Sequence, residues 1–151
     1  MSKIVISDTS CFIVLSRIGQ LELLQKLFSN IITTPEIAEE FGEALPKWVD
    51  IIAVKDKYKQ QLFEIQVDKG EASAMALAME LDNSLLIIDD YKARKLAKAL
   101  NLDFIGTIGI VNLAKQRGII NAIKPILEKI KKTNFRISSE LELHMLVVAK
   151  E

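Results

Sequence analysis

Six acidic side chains of this sequence stand at positions where they could act together. Asp8 closely follows the apolar run Ile4-Val5-Ile6, and Asp89-Asp90 directly follow Leu85-Leu86-Ile87-Ile88. Glu71 lies in the first turn of an alanine-rich stretch, and Glu39 and Glu40 lie about one turn into a segment opened by Thr34-Pro35. Carboxylates brought together repel one another and cannot all stay ionised without a cation. An all-oxygen set with no histidine or cysteine beside it suits a hard ion, Mg²⁺ or Mn²⁺. Such an ion holds phosphate oxygens, activates a bound water to attack phosphorus and stabilises the leaving oxygen. The chemistry these residues would support is phosphodiester hydrolysis.

That chemistry requires elements that bring distant acids to one place. Ile4-Val5-Ile6, Ile31-Ile32, Leu85–Ile88 and Asp103-Phe104-Ile105 read as short buried strands. Between them, Phe12, Leu15 and Ile18 fall at helical spacing before Gly19, and Leu21 to Phe28 mark a second helix. Thr34 at the N-cap and Pro35 at the first position open a third. Trp48 to Val54 is a short strand or turn, and Tyr58 to Val67 a helix. Asp68-Lys69-Gly70-Glu71 is a capping box for an alanine-rich helix to about Leu81. A basic helix spans Tyr91 to Leu100, helices continue after Gly106-Thr107 to about Lys132, and Ser139-Glu140-Leu141-Glu142 reads as a capping box before a last helix. Strands alternating with helices predict an α/β fold in which helices flank a mostly parallel sheet. Ligands of such sheets sit beyond the carboxyl ends of the strands, where Asp8, Asp89 and Asp90 fall.

Plainer roles compete for each acid. Asp8 could cap the helix that follows it, and Asp89 or Asp90 the helix from Tyr91. Glu71 could serve only the capping box with Asp68, and Glu39 and Glu40 could be ordinary solvated acids. Two acid positions at parallel strand ends favour a metal site but do not name a substrate.

Bulk properties narrow the setting. The chain has 151 residues, enough for one domain, and no linker or repeat divides residues 1–151. Half of it is apolar, and 20 basic residues balance 20 acidic ones, so nucleic-acid contact must come from a local patch. A single cysteine, Cys11, rules out an internal disulfide and suits a reducing compartment. Met1-Ser2-Lys3 and the apolar run after it reach Asp8 too soon for a signal peptide, and no apolar run approaches a bilayer span. A cytoplasmic protein without a membrane association is expected.

Taken in order, the motifs resemble those of PIN-domain nucleases. Ile4-Val5-Ile6-Ser7-Asp8-Thr9-Ser10 resembles the opening strand and first acid, and Thr34-Pro35-Glu36-Ile37-Ala38-Glu39-Glu40 the Pro-led second motif. Gly70-Glu71-Ala72 and the alanines after it resemble the third, Leu86-Ile87-Ile88-Asp89-Asp90-Tyr91-Lys92-Ala93-Arg94 the fourth, and Gly106-Thr107-Ile108-Gly109 the segment after the last strand. The likeness spans essentially the whole chain and is greatest to a PIN-like subgroup similar to VapC-type toxins. It implies a three-layer PIN-like fold and a Mg²⁺- or Mn²⁺-dependent endoribonuclease. It also implies a homodimer and an antitoxin protein that holds the enzyme inactive. By resemblance Asp8, Glu40, Glu71 and Asp90 are the catalytic metal ligands, with Glu39 the rival to Glu40. Asp89 is either a further ligand or a residue that orients its neighbour. Ser10 and Thr107 are hydroxyl donors for the RNA phosphate or metal water, although Thr107 could instead be the N-cap of the next helix. Lys92, Arg94, Lys95 and Lys98 form a basic face that is either merely solvated or holds the RNA backbone, with Arg94 best placed.

Other classes fit less well. A haloacid-dehalogenase-like phosphatase needs an acid two positions after Asp8, where Ser10 stands. A response-regulator receiver carries its acid pair near the first strand, whereas Asp89-Asp90 comes late. Cys11 and His144, the only thiol and imidazole, are far apart, so a cysteine–histidine nucleophile is disfavoured and Cys11 reads as core. The serious alternative is a PIN-fold protein that no longer cuts and serves as a binding or regulatory module. The apolar positions from Leu141 to Val148 either pack on the domain or form a dimer or antitoxin surface.

Overall fold

In a computed structural model, residues 3–151 are described. Met1 and Ser2, which belong to the expected leaderless start and to the single domain read over 1–151, lie outside the described residues. Five strands form one sheet: β1 (Ile4–Ser7), β2 (Asn30–Thr33), β3 (Val49–Ile51), β4 (Ser84–Ile87) and β5 (Phe104–Ile105). Their order is β3-β2-β1-β4-β5, and every pairing is parallel. Among the described residues nine helices flank the sheet: α1 (Thr9–Arg17), α2 (Glu22–Leu27), α3 (Pro35–Phe41), α4 (Lys57–Phe63), α5 (Lys69–Glu80), α6 (Tyr91–Ala99), α7 (Thr107–Gln116), α8 (Lys124–Lys131) and α9 (Ser139–Val148). This is the three-layer α/β arrangement that the resemblance implies.

The central strands carry the continuous apolar runs because helices cover both of their faces. Val5, Ile6, Leu86, Ile87 and Ile88 are all fully buried. The pairing of Ser7 with Ile87 leaves Asp8 opposite Ile88, and the Asp8 amide donates to the Ile87 carbonyl at 3.1 Å. Successive strands proceed outward from β1 on one side and from β4 on the other. The chain therefore reverses its winding between β1 and β4, where open parallel sheets form a crevice beyond the strand ends.

α5 is buried almost all round: Ala72 to Ala78 lie in the core, as expected of a helix that is apolar or small on every side. It sits against α3 closely at Gly70, where a Cβ would stand 3.1 Å from Glu40 Oε1 and 3.5 Å from Ile37 Cγ1. A hydroxyl contact of 2.7 Å between Thr34 and Ser73 fixes the two helices together.

Several boundaries differ from the sequence reading. α4 ends at Phe63 rather than Val67, and the residues after it turn toward α5. The last helix is capped by Ser138, whose hydroxyl accepts from Leu141 N at 3.1 Å, so the Ser139–Glu142 box does not form. Thr107 is the first residue of α7, not its cap, which is Gly106. The Asp68 half of the box before α5 does form, with Glu71 N donating to Asp68 Oδ1 at 2.9 Å. α9 packs through Met145, with Leu146 and Ala149 beside it, and leaves Leu143 and Val147 exposed.

Candidate functional site

Parallel connectivity sends the helices back from the carboxyl edge of the sheet, so several begin there. Three of them begin on an acid. Asp8 caps α1, its Oδ1 accepting from Cys11 N at 2.9 Å. Asp68 caps α5, and Asp90 caps α6 by accepting from Ala93 N at 3.0 Å. α7 begins at Gly106, which has no side chain to do this. Asp89 takes over from a distance, accepting from Thr107 N at 2.8 Å and from the Thr107 hydroxyl at 2.6 Å. The plain capping roles are thus real, and they hold these carboxylates at the positive ends of helix dipoles.

A cavity of about 210 Å³ opens between α1, α3 and α5, lined by Asp8, Thr9, Ser10, Glu40, Asp68 and Glu71. Asp8 forms its floor and is 4% exposed. Its second oxygen receives Asp89 N at 3.3 Å, and no cationic side chain pairs with it among the described residues. Burial first, then the charge of Asp89, raises the Asp8 carboxyl well above its ordinary range. Burial, then the charges of Asp68 and Asp90, pushes Glu71 up to about 8. Without a cation, the cleft therefore gathers more carboxyl groups than it can keep ionised together.

The structure separates the two candidate glutamates of α3. Ile37 is fully buried, and Glu40, three residues on, faces the cleft, where the Thr9 hydroxyl donates to it. Glu39, exposed like Glu40, does not line this cleft but an adjoining groove shared with Glu36, Glu40 and Asp68. Ser10 is exposed at the cleft rim. Asp90 does not line the cavity, though its charge is felt at Glu71.

Thr107 and Arg94 lie elsewhere. Thr107 is fully buried and its hydroxyl hydrogen is committed to Asp89, so it presents no donor to a phosphate. Arg94 turns inward from the basic helix: Nε donates to the Ile88 carbonyl at 2.9 Å, Nη2 is 3.7 Å from Asp89 Oδ1, and the guanidinium lies 5.8 Å from the Phe104 ring centre. Asp89 is accordingly the hub of a latch joining β4, α6 and α7. Gly106 makes it possible, since a Cβ there would overlap the Arg94 guanidinium and stand 2.9 Å from Asp89 Oδ1. Cys11 is fully buried, and burial followed by the Asp8 charge raises its thiol well above the ordinary range, as suits a core residue and not a nucleophile.

Two cleft residues escaped the sequence reading. Thr9 stands next to Asp8 but beside the equally plausible hydroxyl of Ser10, and the sequence around Asp68 signals a cap. The three-residue step from Asp68 to Glu71 was a signal that both face one side of the helix start.

The donor chemistry fits a hard divalent cation: carboxylates in excess, hydroxyls beside them, and no accessible sulfur or imidazole in the cleft. No three acids among the described residues are yet close enough to hold an ion together. Glu40 rests on Thr9, and Asp8 rests on backbone amides. The fit is therefore one of chemistry and location, with side-chain rotation required to close the ligand set.

Among the described residues no helix is long and apolar enough to cross a membrane. No curated protein matches the chain. A family model described as a PIN domain matches residues 4–151, and PIN domains are generally nucleases that typically use divalent metals. With the match spanning nearly every residue, the chain belongs to the PIN-domain family.

Proposed function

We propose that this protein is a Mg²⁺- or Mn²⁺-dependent endoribonuclease acting on single-stranded RNA in the cytoplasm. The observation that carries the reading is the buried Asp8 carboxylate at the floor of a cleft shared with Glu40 and Glu71, without a cationic partner. Asp8, Glu40, Glu71 and Asp90 would hold the cation, with Ser10 at the rim to donate to a phosphate. A bound cation of this kind supplies a hydroxide-like nucleophile near neutral pH and stabilises charge on the leaving oxygen.

The protein's own contribution is placement. α1 begins at Asp8, so its first free N–H groups and positive dipole end face the cleft and favour a phosphate there. The Thr9 hydroxyl steers Glu40, and the Gly70 position lets α3 bring Glu40 close to α5. The Asp89 latch fixes the β4–α6 turn that carries Asp90. Those bonds support reading Asp89 as a positioning residue, one of the two roles that the resemblance implies for it.

Toxin-type control by an antitoxin, and a homodimer, belong to the same proposal. What supports them is apolar surface. Tyr58, Leu62 and Ile65 are 72%, 48% and 81% exposed along one side of α4 and just beyond it, and Leu143 and Val147 are exposed on α9.

The test is cleavage of labelled single-stranded RNA with Mn²⁺, with Mg²⁺ and with EDTA, beside Asp8→Asn. Metal-dependent cutting lost in the variant is the expected result. Failure to cut together with failure to bind Mn²⁺ by calorimetry would replace the nuclease with a non-cutting binding module.

A further inference from the structure

An acidic cleft repels the polyanion it is meant to cut, so the RNA must be held by positive charge outside the metal's reach. The basic helix α6 keeps Lys92, Lys95 and Lys98 exposed, but its Arg94 is engaged with protein groups and none of the four lines the acidic cleft or the grooves that continue from it. A second basic stretch lies elsewhere: from Lys115 to Arg136 seven basic residues stand against one acid, Glu128.

Part of that segment faces the active cleft along α1. Ser10, Ile13, Val14 and Arg17 share one side of α1 by helical spacing. Ser10 and Ile13 line the acidic cleft and also the start of a second groove. The opposite wall of that groove is the turn after α8, including Asn134, Phe135 and Arg136. The groove continues past Arg17 to Lys129 and Lys132. From Ser10 to Arg17 the path is about 10 Å at 1.5 Å per helical residue.

The wall is held in shape, since the Thr133 hydroxyl donates to the Ile130 carbonyl at 2.6 Å and receives Phe135 N at 3.1 Å. Arg17, Lys129, Lys132 and Arg136 have no carboxylate within 4.0 Å among the described residues. Lys131 differs, being paired with Glu128 and Glu142. A plainer role for Arg17 and Lys129 is to offset the negative ends of α1 and α8. That role does not explain Arg136, which lies on no helix.

We infer that the groove between α1 and the turn after α8, with Arg17, Lys129, Lys132 and Arg136 along it, holds the sugar–phosphate backbone of single-stranded RNA leading away from the acidic cleft. Unpaired cations beside a partly exposed aromatic ring, Phe135, are what a single strand uses for backbone and base contacts. The inference rests on the nuclease reading of the cleft and adds the route of the substrate.

The experiment measures binding of a short fluorescein-labelled single-stranded RNA by anisotropy in EDTA, across a salt series. It compares the wild type, Arg17→Ala/Arg136→Ala and, on α6, Lys92→Ala/Lys95→Ala/Lys98→Ala. Each phosphate contact to a single strand contributes about 0.7 to the slope of log K against log salt. Losing two contacts lowers the slope by about 1.4 and weakens binding about 25-fold at about 0.1 M salt. The α6 variant should stay within about two-fold of wild type, and all three proteins should bind Mn²⁺ alike by calorimetry. In the cleavage assay with Mn²⁺ the arginine variant should raise KM and keep kcat. A wild type that cuts RNA while the arginine variant binds as tightly as wild type, or while the α6 variant loses as much, overturns the route and leaves the nuclease standing. A wild type that neither binds nor cuts RNA overturns both.

Discussion

Replacing Asp8 separates its two roles, because asparagine and alanine remove different things. The Asp8 carboxylate caps α1 through Cys11 N at 2.9 Å and receives Asp89 N at 3.3 Å, while buried at 4% exposure among other acids. Asparagine is as good an N-cap as aspartate, so Asp8→Asn keeps the first bond. It loses the second, because the amide NH2 in place of Oδ2 cannot accept from Asp89 N, at about 1 kcal/mol, and it removes a buried carboxyl whose ionisation Asp89 and Glu71 oppose. Without metal at neutral pH, Asp8→Asn should therefore unfold within about 1 kcal/mol of wild type or above it. Asp8→Ala loses the cap as well and should fall below Asp8→Asn by about 1–2 kcal/mol. For a chain of this size that is about 2–8 °C in Tm. Adding Mn²⁺ to about one hundred times its Kd should raise the wild type by about 2.7 kcal/mol, or about 5–11 °C, and leave both variants nearly unmoved. The assay is thermal unfolding with EDTA and then with a Mn²⁺ series. If Asp8→Asn melts far below wild type without metal, or Mn²⁺ lifts all three alike, Asp8 is a structural residue and the ligand assignment is wrong.

Four further outcomes are expected. Glu40→Gln should weaken Mn²⁺ binding about ten-fold or more, about 1.4 kcal/mol, and abolish cleavage, while Glu39→Gln changes neither by calorimetry or assay. Gly106→Ala should lower the unfolding free energy by about 1–3 kcal/mol, read as a lower denaturant midpoint with an unchanged m value, because the added Cβ collides with the Asp89–Arg94 latch. Thr107→Val should cost about 1–3 kcal/mol by leaving Asp89 short of a donor, and Thr107→Ser should restore most of it in the same measurement. Glu151 is held down at about 2 by Ile123 N and then Lys115. A depressed carboxyl stabilises the fold above its ordinary 4.5 and loses that contribution as pH falls toward 2. The gap in Tm between wild type and Glu151→Gln should therefore be open at neutral pH and close over that acid window.

What could be read from the sequence depended on how local the cause was. β4 was legible because its apolar run is continuous and buried, and α3 and α5 were legible because Thr34-Pro35 and Asp68 announce their own starts. The last helix was misplaced by one residue because Ser138 and Ser139 are equally good local caps. The choice between them fits the helix rotation that buries Met145. Glu40 and Glu39 were separable in principle, since Glu40 shares a helix side with the buried Ile37 and Glu39 does not. The latch was not legible. Asp89 and Thr107 are 18 positions apart, and nothing in either segment says that one caps the other's helix.

Capping and metal binding look like rival explanations of these acids only while each acid is treated as a single acceptor. A carboxylate has two oxygens, and a helix cap uses one of them. Asp8 commits Oδ1 to Cys11 N and keeps Oδ2 on a long contact, and Asp90 commits Oδ2 to Ala93 N. The committed oxygen fixes the orientation of the side chain, and so decides where the other oxygen can go. Asp89 is the contrasting case, with both oxygens committed to Thr107 and Arg94 nearby. An acid at the end of a parallel strand is thus aimed at the crevice by the same bond that starts the next helix. On the proposed metal-dependent reading, the difference between a ligand and a brace is whether its second oxygen remains free of a strong hydrogen bond, as it does at Asp8 and Asp90 and not at Asp89.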